Sequence, residues 1–213
     1  MKIIYQAQKE YPKKLTNIYS TPAKLYLVGD ELILNKPSIA IIGCRDASDY
    51  GKRVAFNFAY ELAKEGFVIV SGLARGIDTY AHLGAVKANG KTIAVLGSGL
   101  KHIYPAENKE LCNEIVKKGG AIITEYEPHT KPLPMNFPSR NRIISGLSSG
   151  ILVVEAKQKS GTLITVDYAL EQGKDVFVIP GNITSTNSYG TNDLIKQGAK
   201  PVTNIQEIIE EIT

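Results

Sequence analysis

Cysteine is scarce: Cys44 and Cys112 are the only two in 213 residues. They form no Cys-x-x-Cys pair, which excludes a disulfide framework. Two lone thiols suit a reducing compartment and are expected as packing residues. Histidine is nearly as rare. His82, His102 and His129 include no two at metal-ligand spacing, so no metal or other cofactor is expected. No apolar run reaches the roughly 18 residues that a membrane helix needs. The opening Met1-Lys-Ile-Ile-Tyr-Gln6 has no apolar signal core, so the expectation is a cytoplasmic chain with no membrane contact. The standard signatures of catalysis and nucleotide binding are missing as well. Gly97-Ser-Gly99 is not completed to Gly-x-Gly-x-x-Gly, and Gly43 and Gly51-Lys52 are too far apart for a P-loop. There is no Gly-x-Ser-x-Gly elbow and no His-Glu-x-x-His. A net charge of +4 is too mild to assign a partner by itself.

What the chain does have is one repeated unit. From residue 38 onward, an apolar run ends in small residues and a helical pattern follows. The runs are Ser38-Ile-Ala-Ile-Ile-Gly43, Phe67-Val-Ile-Val-Ser71, Thr92-Ile-Ala-Val-Leu-Gly97, Ala121-Ile-Ile-Thr124, Ile151-Leu-Val-Val-Glu155 and Val176-Phe-Val-Ile-Pro180. Continuous apolar strands are those covered on both faces. Between them, Val54, Phe58 and Leu62 share a helical face, as do Leu163, Val166 and Leu170. Alternating strand and helix predict an α/β fold: an extended Rossmann-like, doubly wound, mostly parallel sheet with helices on both faces. Residues 1–37 read differently, as an N-terminal extension with a short helix near Tyr11–Leu15 and a lone strand near Pro22–Val28. The tail ends in a helix with Asn204 as cap and Glu207 three residues on. The expected division is an extension over 1–37, packed on one domain over 38–213.

In open α/β sheets, ligands bind beyond the carboxyl ends of the strands. The turns found there are Gly43-Cys-Arg-Asp46, Ser71-Gly-Leu-Ala-Arg-Gly76, Gly97-Ser-Gly99, Glu125-Tyr126, Lys157-Gln-Lys-Ser-Gly-Thr162 and Pro180-Gly-Asn182. Glycine admits close approach to a backbone, and the following helix presents free N–H groups, so such turns suit an anion. In Met135-Asn-Phe-Pro-Ser-Arg-Asn-Arg-Ile-Ile-Ser-Gly146, Pro138 suits a first helical turn, and Arg140, Asn141 and Arg142 crowd a helix opening. Cations conflict with the dipole there, and an anionic ligand would remove the conflict. Arginine forks match phosphate, and Phe137 is placed to stack a base. Simpler readings stand beside these. Arg45 has Asp46 and Asp49 for ion pairs, Lys157 and Lys159 suit a solvated surface, and Thr162 suits a helix cap. Asp78, Glu125 and Glu155 suit acid–base chemistry, but without a paired nucleophile they read as caps and ion-pair partners.

Several motifs together resemble the DprA/Smf family (DNA-processing protein A). They include Gly43-Cys-Arg-x-x-Ser-x-Tyr-Gly51, Ser71-Gly-x-Ala-x-Gly-Ile-Asp78, Phe137-Pro-x-Arg-Asn-Arg-Ile-Ile-x-Gly-Leu147, Lys159-Ser-Gly-Thr-Leu-Ile-Thr165 and Gly190-x-Asn-x-Leu-Ile-x-x-Gly-Ala199. The resemblance covers nearly the whole chain. Cys44 departs from it, standing where the family usually has Ser or Thr. The 213 residues hold no counterpart of the helical N-terminal and winged-helix C-terminal domains of many members. The resemblance implies a non-enzymatic, single-stranded DNA-binding protein of natural transformation. Such a protein protects incoming strands, helps load the RecA recombinase and forms a homodimer. Arg45, Phe137, Arg140, Asn141, Arg142, Ser160, Gly161 and Thr162 match positions lining the family's DNA pocket, and Gly72 and Lys159 in the neighbouring turns complete the candidate set. Two rivals are weighed. A nucleotide phosphoribohydrolase of the lysine-decarboxylase-like type shares the Gly161-Thr162 and Pro180-Gly181 turns, but Thr165 stands where its glutamate is needed. A scaffold that only contacts RecA is the other.

Overall fold

The computed structural model describes residues 1–212. Six strands fall on the predicted runs: β3 (Ser38–Ile42), β4 (Val68–Ser71), β5 (Thr92–Val95), β6 (Ala121–Thr124), β7 (Gly150–Val153) and β8 (Asp175–Val178). Three more complete the sheet: β1 (Lys2–Tyr5), β2 (Lys24–Gly29) and the two-residue β9 (Lys200–Pro201). The order is β1-β2-β6-β5-β4-β3-β7-β8-β9. Pairing is parallel from β6 through β9 and antiparallel at β1–β2 and β2–β6. The strand near Val28 is therefore not alone. β1 pairs with it, and together they cover the edge of β6, which would otherwise expose unpaired backbone groups. The predicted helix at Tyr11–Leu15 is only a short 3-10 turn over Lys13–Leu15.

The helices are α1 (Asp49–Lys64), α2 (Ile77–Lys87), α3 (Lys109–Lys117), α4 (Asn136–Leu147), α5 (Gly161–Glu171), α6 (Tyr189–Lys196) and α7 (Gln206–Ile212). Strand residues alternate between two cores, as the pleat requires. Ile39, Ile41 and Leu152 face α1, α2 and α7 through Ala55, Leu62, Ala81 and Ile208. Ala40, Ile42, Ile151 and Val153 face α4, α5 and α6 through Ile143, Val166 and Leu194. The face expected of α5 is slightly rotated. Leu170 is exposed, and Ala169 takes the core position.

Connectivity fixes where a ligand would sit. From β3, the chain winds outward through β4, β5 and β6. It then returns through α4 to place β7 on the other side of β3. The crevice between the carboxyl ends of β3 and β7 is thus the topological switch point, the usual ligand position in such sheets.

Candidate functional site

A cleft of ≈ 380 Å³ occupies the switch point. Gly43 and Arg45 after β3, Phe137, Arg140 and Asn141 from α4, and Ser160, Gly161 and Thr162 at the start of α5 all line it. Seven of the ten candidate residues therefore meet in one place. Gly72 lies just outside, in a smaller recess that shares Arg45, Phe137 and Arg140 with the cleft. Lys159, exposed, sits in the loop before α5.

Arg45 is an exposed cation of the site, as is Lys157. The Arg45 guanidinium carbon lies 5.5 Å from the centroid of the Phe137 ring. The carboxylates that stood ready to neutralise it are engaged elsewhere: Asp46 with Lys157 at 3.4 Å and Asp49 with Lys52 at 3.1 Å. Among the described residues no ion pair involves Arg45. Phe137 is fixed from two further sides. A Cβ on Gly97 would stand 2.8 Å from its ring, and the Tyr104 ring lies 5.5 Å away, tilted by 52°. Tyr104 is not among the residues that the sequence pattern singles out.

Arg140 is 4% exposed. Its Nη1 donates to the Gly72 carbonyl at 2.8 Å and to the Val95 carbonyl, while Nε has no partner within the protein. Burial pushes its pKa down to about 10, opposed by the Asp78 carboxylate. Burial likewise raises the Asp78 carboxyl, although Arg140 and the N–H groups of Ala74 and Gly72 favour its charge. Gly72 is glycine for a steric reason. A Cβ there would lie 2.7 Å from Arg140 Nη2 and 2.8 Å from Asp78 Oδ2. Arg140 thus forms the floor of the cleft, not an extended arm.

Arg142 corrects the sequence expectation. It does not line the cleft but a separate hollow beside Tyr19, Tyr126 and Tyr168. Its guanidinium forms a two-pronged pair with Glu125, each bond 2.6 Å, and donates from Nε to the Ser20 carbonyl at 2.9 Å. The reason is helical phase. α4 begins at Asn136, two residues before Pro138, so Arg140 and Arg142 lie in the second turn and point to different sides. The conflict with the helix dipole is correspondingly weaker than the sequence suggested.

The start of α5 has the features of an anion site. Its cap residue, Ser160, makes no side-chain hydrogen bond to the helix, and Ser160 Oγ is buried without a partner. The free N–H groups of the first turn are left for other acceptors. The start of α1 is the opposite case. Ser48 Oγ accepts from Gly51 N at 3.0 Å and donates to the buried Glu155. Glu155 also accepts from Ser48 N and Asn187 Nδ2, so it is a structural hub. The Cys44 thiol lines the cleft, but burial raises its pKa, which disfavours a nucleophilic thiolate. Thr165, a hydroxyl where a phosphoribohydrolase needs a carboxylate, also lines it. Among the described residues, no three His, Cys, Asp or Glu side chains are grouped to hold a metal.

Residues 2–213 match the model of the DNA recombination-mediator protein A family. The chain is 46% identical over 202 residues to the protein Smf of Escherichia coli, covering 95% of this chain and 54% of that one. It superposes on the DNA processing protein A of Streptococcus pneumoniae with a TM-score of 0.93 and 42% identity, over 100% of this chain and 74% of the other. It also superposes on the Helicobacter pylori DNA processing protein A, whose structure describes a unique single-stranded DNA binding mode. There the TM-score is 0.88 at 35% identity, covering 99% and 95% of the two chains.

Proposed function

Because the chain belongs to the DNA recombination-mediator protein A family, we propose that its switch-point cleft holds single-stranded DNA and that it works without chemical turnover. The carrying observation is the pairing of an exposed, carboxylate-free Arg45 with the Phe137 ring, at the mouth of a cleft closed by the uncapped start of α5. A phosphate fits Arg45 and the α5 N–H groups, and a base fits against Phe137. Asn141, Lys159, Ser160, Gly161 and Thr162 supply polar and backbone contacts. Gly72 and Arg140 shape the floor, and Arg142 holds α4 in place. No base edge needs to be read by such a site, so binding is indifferent to sequence. A stacked duplex cannot present its bases to Phe137, so single strands are preferred. The proposal extends to a cytoplasmic homodimer that shields incoming strands and hands them to the RecA recombinase.

The test is a salt titration of labelled oligothymidylate binding, with a duplex of equal length alongside. For single strands the log–log slope falls by about 0.7 for each phosphate neutralised. Arg45→Ala is expected to weaken binding to all sequences alike and to flatten the slope by about that amount. Unchanged affinity and slope in this variant would remove the proposed site.

A further inference from the structure

Phe137 is a partition with a different space on each side. The main cleft lies on one side. On the other is the recess that includes Gly72, Arg75, Tyr104 and Pro105, and its volume is ≈ 30 Å³. That is room for about one water molecule and not for a base. A strand crossing Phe137 must therefore lie on this second surface instead of sinking into it. The ring it meets is Tyr104, which is 41% exposed. It is tilted by 52° to Phe137 and is not stacked on it, so its ring is not paired face to face with the first.

Beyond Tyr104 lies Arg75. Its Nε and Nη2 hold the Glu107 carboxylate in a fork, at 2.8 and 2.9 Å. Both partners are more than half exposed, so the pair contributes little and is easily exchanged. A phosphate offers the same forked geometry with more charge. Tyr104 and Arg75 line the same recess.

Building on the reading of the cleft as a single-strand site, we infer that the strand leaves it across Phe137, stacks a base on Tyr104 and sets the next phosphate on Arg75 in place of Glu107. This assigns the direction in which the bound strand is extended and names Glu107 as the group that competes with it. Oligonucleotides long enough to reach Tyr104 bind more tightly than those that fill the cleft alone. Removing Glu107's charge strengthens that gain.

The chain has no tryptophan, so Tyr104→Trp installs a single reporter at the point in question. Its fluorescence is expected to be quenched by long oligothymidylate, in parallel with the anisotropy rise of the labelled strand. Tyr104→Ala is expected to cost the long strand about tenfold more affinity than it costs a cleft-length strand, the usual size of one stacked base. Arg75→Ala should flatten the salt slope by about 0.7, and Glu107→Gln should tighten binding of the long strand only. All three positions lie at the surface, and thermal melts verify that each variant is folded. If the long strand binds wild type, loses affinity with Arg45→Ala, yet neither quenches Tyr104→Trp nor weakens with Tyr104→Ala, the inference is overturned and the cleft stands. If wild type binds no single strand, both fall.

Discussion

Thr92 spends its hydroxyl proton on the Ile69 carbonyl at 2.6 Å, so the 2.7 Å contact with His82 requires His82 Nδ1 to be the donor. Nε2 is then a bare acceptor, buried without a protein partner. Burial, helped by the charge of Arg140, lowers the His82 pKa from 6.5 to about 3. Between those values the unfolded chain binds a proton that the folded chain refuses. Stability is therefore retained above about pH 6.5 and lost as pH falls towards 3. Unfolding free energies of wild type and His82→Gln, measured from pH 7 to pH 4, should converge on acidification. Parallel curves would mean that His82 does not drive the acid limb. At Gly72 the expectation is steric. Gly72→Ala should destabilise by about 1–3 kcal/mol and displace Arg140 from the cleft floor, so oligonucleotide affinity should fall with the melting temperature.

At the scale of elements, two helix starts beside the same cleft serve different ends. The α1 cap is satisfied internally, so Ser48→Ala should cost about 1–2 kcal/mol, the usual value of a lost cap. It also deprives the buried Glu155 of a donor. The α5 cap makes no comparable bond, so Ser160→Ala should stay within about 0.5 kcal/mol in stability while weakening single-strand binding. Denaturant unfolding and anisotropy on the two variants separate these cases. The opposite pattern, with Ser160 stabilising and indifferent to DNA, would make α5 an ordinary capped helix.

At the scale of the molecule, residues 1–37 belong to the same hydrophobic core as the parallel sheet. Ile4, Tyr11, Leu15, Ile18, Leu25, Leu27, Ile33 and Leu34 are buried there with Ile143 and Leu147 of α4. Each such side chain contributes about 1.5–3 kcal/mol, against a typical total stability of about 5–15 kcal/mol. Deleting residues 1–37 should therefore abolish cooperative thermal unfolding. A sharp transition in the truncated chain would show that 38–213 folds alone. Six of the seven parallel strands and the turns at their ends could be read from the sequence, because continuous β-branched runs and glycine-rich turns are local signals. β1 and β9 could not: Lys2–Tyr5 stands outside the repeated run-and-helix unit, β9 is two residues long, and only pairing with a neighbour makes them strands. The candidate residues could be named but not arranged. Arg140 and Arg142 look alike in sequence, yet two positions on a helix lie on nearly opposite faces, so α4 turns one beneath the cleft and the other onto Glu125. Residue type is written in the chain, whereas a side chain's burial and partner depend on residues that can lie more than a hundred positions away, as Ser20 does from Arg142, and only the folded packing brings those together.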